Sequence, residues 1–142
     1  ILNKPGRLTP EEFEIMKTHT TIGADMLREL GSHHAGNALM EYAYQIARWH
    51  HERWDGKGYP DGLKGDEIPI AAQVVSVADV YDALTSVRVY KDAIPHEEAI
   101  KMILDGKCGT FNPLLLDCLL EVQDQIAETL ARPADVVAFP TI

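Results

Sequence analysis

Apolar residues recur at helical spacing along most of the chain, and five stretches predict helices. The first begins at Thr9-Pro10-Glu11-Glu12: Thr9 can cap, Pro10 suits the first helical position, and Glu12 completes a capping box. It should run to about Leu30, stop at Gly31, and turn Ile15, Ile22 and Met26 inward as one stripe. A second helix should span roughly Ala35 to His50, with Leu39, Ala43 and Ile46 on one face. Residues 51–67 hold Gly56, Gly58, Pro60, Gly62 and Gly65, which is turn chemistry. The third helix, Pro69 to Ser86, includes IAAQVVSVADVYDAL (70–84); it is apolar on nearly every side and so predicted to be buried. Pro95 opens a fourth helix that ends near Gly106, and Asn112-Pro113 opens a fifth that runs to about Leu130. No segment alternates for long like a half-buried strand, so the predicted class is all-α. Residues 1–131 read as one domain portion, with 132–142 a loosely packed tail containing Pro133 and Pro140.

Several polar residues sit where this pattern wants core. His19 lies on the first stripe, and His50 continues the face of the second helix; His51 points about 100° away from it. The third helix carries Asp79 and Asp82 one turn apart. An unpaired carboxylate out of water would protonate, so a buried one needs a cation beside it. That cation is either a side chain, Arg88 or Lys91, or a metal ion. A single inward histidine is more often a hydrogen-bonded core residue than a ligand. Taken together, however, His19, His50, His51 and Asp79 form an imidazole and carboxylate set without thiolate, which suits zinc, iron, manganese or nickel. Two such ions would activate a water and clamp a phosphoryl group. Arg88 and Lys91 follow within a few turns and are either an anion receptor or solvated charge. The Gly-rich loop is no P-loop, since no Gly-Lys-Ser/Thr opens a helix. Its Tyr59 either stacks on a base or simply packs.

Composition narrows the choices. The 142 residues carry a net charge of −9, a poor basis for general binding to DNA or RNA. An anionic ligand would need a few placed cations or a metal. The two cysteines, Cys108 and Cys118, form no Cys-x-x-Cys pair and read as reduced packing residues of a cytoplasmic protein. No apolar run approaches the roughly 18 residues of a membrane span, and no signal peptide is visible.

The run HHERWDGKGYP (50–60) closely resembles the signature of the HD-GYP family. ILNKPGRLTPEE (1–12), MKTH (16–19), DVYDALTSVRVYK (79–91) and CGTFNP (108–113) resemble further family blocks in family order. The resemblance implies a helical bundle of the HD superfamily with two or three divalent metal ions, commonly iron or manganese, and hydrolysis of cyclic di-GMP to pGpG or GMP. It implies His19, His50, His51 and Asp79 as metal ligands, with His50, His51 and Asp79 at the catalytic centre. It also implies Arg88 and Lys91 as the phosphate-holding pair and Tyr59 near the guanine. Asp82 would lie close to the metals without a clear ligand role. Diguanylate cyclase domains are an implied partner for the Gly-Tyr-Pro loop.

Two departures from the family pattern are visible. The His-Asp pair and following Lys are expected just before Ile1. Two metals want about ten donor positions, so these 142 residues alone are expected to bind metal weakly and hydrolyse little. Asn112 stands where Asp is common, with little expected consequence because both cap helices well. The rival reading is a non-catalytic module, a cyclic di-GMP sensor or a docking domain.

Overall fold

The computed structural model describes residues 1, 4, 6–32, 37–86 and 93–131. Five α-helices follow one another: α1 (Pro10–Ser32), α2 (Ala38–Trp49), α3 (Ile70–Thr85), α4 (His96–Leu104) and α5 (Pro113–Ala131), with a 3-10 turn at Gly65–Glu67. The described residues contain no strand, and the fold is all-α. The expected tail, 132–142, lies outside the described residues, as do Arg88 and Lys91.

The helix starts follow from local chemistry. The Thr9 N–H donates to Glu12 Oε2 at 2.7 Å and the Glu12 N–H donates to Thr9 Oγ1 at 3.2 Å, a reciprocal capping box ahead of α1. Asn37 caps α2 in an extended conformation, its side chain accepting from the Leu39 N–H. The helix therefore begins at Ala38, later than the expected Ala35. Asn112 Oδ1 accepts from the Leu114 N–H at 3.0 Å to start α5. The Asn112 amide also donates to Gln73 Oε1, while buried Gln73 donates to the Ile68 carbonyl, which ties the start of α5 to α3.

The core lies among α3, α4 and α5. Val77, Tyr81 and Leu84 pack with Ala99, Ile100 and Ile103 and with Leu119. Tyr81 and His96 share a 2.8 Å hydrogen bond between the phenol and Nδ1, joining α3 to α4.

Two burial expectations are overturned. Ile15, Ile22 and Met26 are 58, 56 and 61% exposed. What α1 buries instead is Thr20 and Ala24, both fully enclosed. Along this narrow face a side chain at Gly23 would meet Ala47, and one at Gly31 would meet Met40, each Cβ at 3.8 Å. Small residues let the α1 and α2 backbones approach closely, so the large apolar stripe is left outside. The second correction concerns α3, which is not buried all round. Ile70 and Val74 are about half exposed, and Asp79 and Asp82 stand on the exposed side. Their carboxylates therefore stay hydrated, and burial gives no reason for a cation beside them. Asp82 accepts from the Ser86 hydroxyl at 2.9 Å, at the end of the helix.

Candidate metal centre

His19 projects from the middle of α1; His50 caps the C-terminus of α2, and His51 follows it. Close packing of the two helices brings the three rings together. Ring centroids are 5.3 Å apart for His19 and His50, 5.0 Å for His19 and His51, and 4.1 Å for His50 and His51. One ligand nitrogen from each lies within 4.8 Å of the other two.

Backbone carbonyls orient two of these rings. His19 Nδ1 lies 2.6 Å from the Met16 carbonyl and His50 Nδ1 lies 2.8 Å from the Ile46 carbonyl. A carbonyl oxygen only accepts, so each Nδ1 carries a hydrogen, and in the tautomer this selects each Nε2 is the bare nitrogen. Those two nitrogens face each other at 3.3 Å. Two lone pairs so placed repel unless a proton or a cation sits between them. Two nitrogens bound about 2.1 Å from one ion, at angles of about 90–110°, would stand roughly 3.0–3.4 Å apart. The observed separation falls within that span, and the donor set fits a divalent transition metal.

His51 completes the triad from a drier position. Burial, reinforced by the neighbouring His50 and His19, lowers its pKa to about 4; the charge of Asp79 opposes this. The ring is neutral at pH 7, the form that ligates metal. Its face stacks on Tyr59, with centroids 4.8 Å apart and planes 26° apart. Burial, then the Asp79 charge, pushes the Tyr59 phenol up to about 12, so it stays protonated. Asp79 is thus near enough to act on both residues, but its carboxylate lies outside the cluster of three imidazoles.

The loop after α2 is held by groups that the sequence pattern did not single out. Glu52 is only 3% exposed. Its Oε1 accepts from the Asp61 and Gly62 N–H groups at 2.7 and 2.9 Å, while its buried Oε2 has no hydrogen-bond partner. Arg48 forks both oxygens of Asp61 at 2.7 and 2.9 Å, and the Trp49 indole donates to the same carboxylate. The Tyr59 N–H donates to the His51 carbonyl, and the Tyr59–Pro60 peptide is cis. Gly58 passes so close to the end of α2 that a Cβ there would lie 2.4 Å from the Arg53 nitrogen and 2.6 Å from the His51 carbonyl oxygen. Only glycine fits. A signal for Glu52 was present in the sequence: an acid directly after a His pair and before a Gly-rich loop.

Beside the triad is a cavity of about 320 Å³, lined by Phe13, Lys17, His51, Tyr59 and Phe111 among others. A larger and more open groove of about 560 Å³ lies between α1 and α2, lined by Leu27, Arg28, Met40 and Tyr44. Its described lining includes none of the three imidazoles.

Residues 1–113 match the HD-domain family. The chain belongs to that family. Its curated relatives support the HD-GYP branch. The HD domain is 45% identical, over 136 residues, to a probable cyclic di-GMP phosphodiesterase of Vibrio cholerae serotype O1, covering 95% of this chain and 31% of that protein. It is 47% identical, over 137 residues, to a cyclic di-GMP phosphodiesterase of Thermotoga maritima, covering 95% of this chain and 35% of the relative. A 3'3'-cGAMP-specific phosphodiesterase of Vibrio cholerae serotype O1 is 41% identical over 135 residues, 95% of this chain and 25% of its own length. The HD domain therefore spans about a third or less of these relatives.

Proposed function

We propose that the protein containing this HD domain is a metal-dependent phosphodiesterase of cyclic dinucleotides, with cyclic di-GMP as its substrate. The observation that carries the reading is the pair of carbonyl-oriented imidazoles whose bare nitrogens face each other at 3.3 Å, beside a neutral third imidazole. Relatives named as cyclic di-GMP phosphodiesterases support the choice of substrate.

In this reading His19, His50, His51 and Asp79 hold two or three divalent ions, iron or manganese by preference. Bound there, the ions would supply a water nucleophile at neutral pH and Lewis-acid neutralisation of the phosphate. The chain's own residues set the conditions. The Met16 and Ile46 carbonyls fix the tautomers of His19 and His50, so no reorientation is needed on binding. Tyr59 covers one face of His51 and excludes water from it. Asp79 adds negative charge that favours cations at the triad. His50, His51 and Asp79 form the catalytic centre, Tyr59 borders the substrate, and Arg88 and Lys91, outside the described residues, neutralise phosphate oxygens as in the family pattern.

No described helix is long and apolar enough to cross a membrane, and a cytoplasmic location suits a second-messenger hydrolase. The Gly-Tyr-Pro loop, with exposed Lys57 beside it, is the surface on which a diguanylate cyclase would dock.

The relative named for 3'3'-cGAMP makes that dinucleotide the second substrate to assay. The test is chromatographic turnover of both dinucleotides by the full-length protein with manganese or iron. The His50→Ala, His51→Ala and Asp79→Ala variants should each lose at least about 100-fold, the upper cost of disturbing even the partners of a metal ligand. Unchanged turnover in the histidine variants, or none in the wild type, defeats the assignment.

A further inference from the structure

We propose that the cavity between α1 and the Gly-Tyr-Pro loop seats one nucleotide unit of the substrate, with Lys17 as its anion contact and the Phe13 and Tyr59 rings beside its base. This rests on the phosphodiesterase reading and gives a role to Lys17, which lies in the MKTH block (16–19) but had none assigned there.

Phe13 and Lys17 stand four apart on α1 and so share a face, while His19 follows two residues later. Phe13 meets Tyr59 edge-on, with centroids 6.1 Å apart and planes at 83°. The Lys17 ammonium lies 5.2 Å from the Phe13 centroid and 5.7 Å from that of Tyr59, inside the range in which a ring attracts a cation. Tyr59 in turn stacks on His51. A placed cation, two aromatic rings and the His51 imidazole, one member of the triad, therefore line the same cavity. In a chain of net charge −9, a lysine held in this way marks a spot built for an anion.

The existing partner of Lys17 is weak. It bonds Glu14 at 2.6 Å one turn away, and the glutamate side chain is 69% exposed. Exposed pairs at this spacing contribute little, so a phosphate oxygen displaces the carboxylate readily. Lys57 also lines the cavity. The carboxylate in its wall, Glu52, spends one oxygen on two backbone amides. The volume, about 320 Å³, is at the low end of small-ligand sites, which run from about 300 to 1,000 Å³. It suits one base and its phosphate, with the second half of a cyclic dinucleotide extending toward the open side where His19 stands.

The experiment measures GMP and cyclic di-GMP binding to the full-length protein by calorimetry at fixed manganese, with metal content determined on the same samples. Lys17→Met keeps the aliphatic stem and should weaken GMP binding about tenfold, the cost of one charge-assisted contact. Lys17→Arg should restore most of it, and metal content should not change in either variant. The inference is overturned if Lys17→Met binds GMP as tightly as wild type, or if wild type binds no GMP. Lys17-dependent GMP binding by a protein that hydrolyses neither cyclic dinucleotide would sink the phosphodiesterase reading and leave the nucleotide site standing. Hydrolysis without Lys17-dependent binding would do the reverse.

Discussion

Glu52 separates acceptor geometry from charge in holding the loop that carries Tyr59. It is almost fully buried, one oxygen receives two backbone N–H groups, and the other is unpartnered. Glu52→Ala strands both amides, at roughly 1–3 kcal/mol each, and removes the one buried Cγ methylene, at about 0.8 kcal/mol. A loss of about 4 kcal/mol is expected, a large share of the 5–15 kcal/mol typical of a domain. At about 2–4 °C per kcal/mol that is roughly 8–16 °C in Tm. Glu52→Gln keeps the acceptor. It loses about 1 kcal/mol per bond when the charge goes, and regains a comparable amount because no charged oxygen is left unpartnered. Its net change should stay within about 1 kcal/mol at pH 7.

The pH dependence has a definite sign. Burial raises the Glu52 pKa above its ordinary 4.5, against the opposing effect of the backbone amides. Above 4.5 the folded state therefore holds this proton more tightly than the unfolded state, and stability falls as pH climbs through the raised value. The glutamine variant lacks that slope, so its stability relative to wild type should improve from pH 4.5 towards 7. Urea denaturation of all three proteins across that range is the assay. A Glu52→Gln variant as damaged as Glu52→Ala would refute the reasoning, because charge rather than acceptor placement would then be holding the loop.

Three further perturbations test the frame around the triad. Gly58→Ala drives a methyl into the Arg53 and His51 backbone; it should cost about 3 kcal/mol, the upper end for overpacking, read by urea denaturation. Asp55 is held down to about 2 from the ordinary 3.8, first by Arg53 and also by the Lys57 N–H and the Thr110 hydroxyl. Its stabilising contribution is present above about 3.8 and fades as pH falls towards 2, so thermal melts of Asp55→Asn should trail wild type at pH 6 and converge with it near pH 2. Tyr81→Phe removes the hydroxyl bonded to His96 and should cost about 1 kcal/mol by the same denaturation assay, with metal content unchanged.

The parts of this fold that were legible in the sequence are those set by neighbouring residues. Thr9, Pro10 and Glu12 start α1, and Asn112 and Pro113 start α5, because capping involves only a few consecutive positions. The start of α2 was misjudged by overlooking Asn37, a capping residue inside the expected helix. The inward stripe on α1 failed for a different reason. Spacing identifies a face but not which face a neighbour covers, and α2 covers the glycine and alanine side. The histidines still converge, since His19 sits at the border of that contact and His50 at the end of α2. Asp79 was picked out partly by an argument from burial that the exposed side of α3 removes; its charge is nonetheless felt at His51. Glu52 and Lys17 depend on contacts with a folded loop: Glu52 meets amides 9 and 10 residues away, and Lys17 meets a ring 42 positions on. Neither leaves a periodic trace.

The most direct test of the centre is an anomalous difference map from crystals of the manganese-loaded full-length protein. The expected result is a peak about 2 Å from Nε2 of both His19 and His50, with the His51 ring alongside. Manganese bound elsewhere, with those two nitrogens bridged by nothing but a proton, would contradict it.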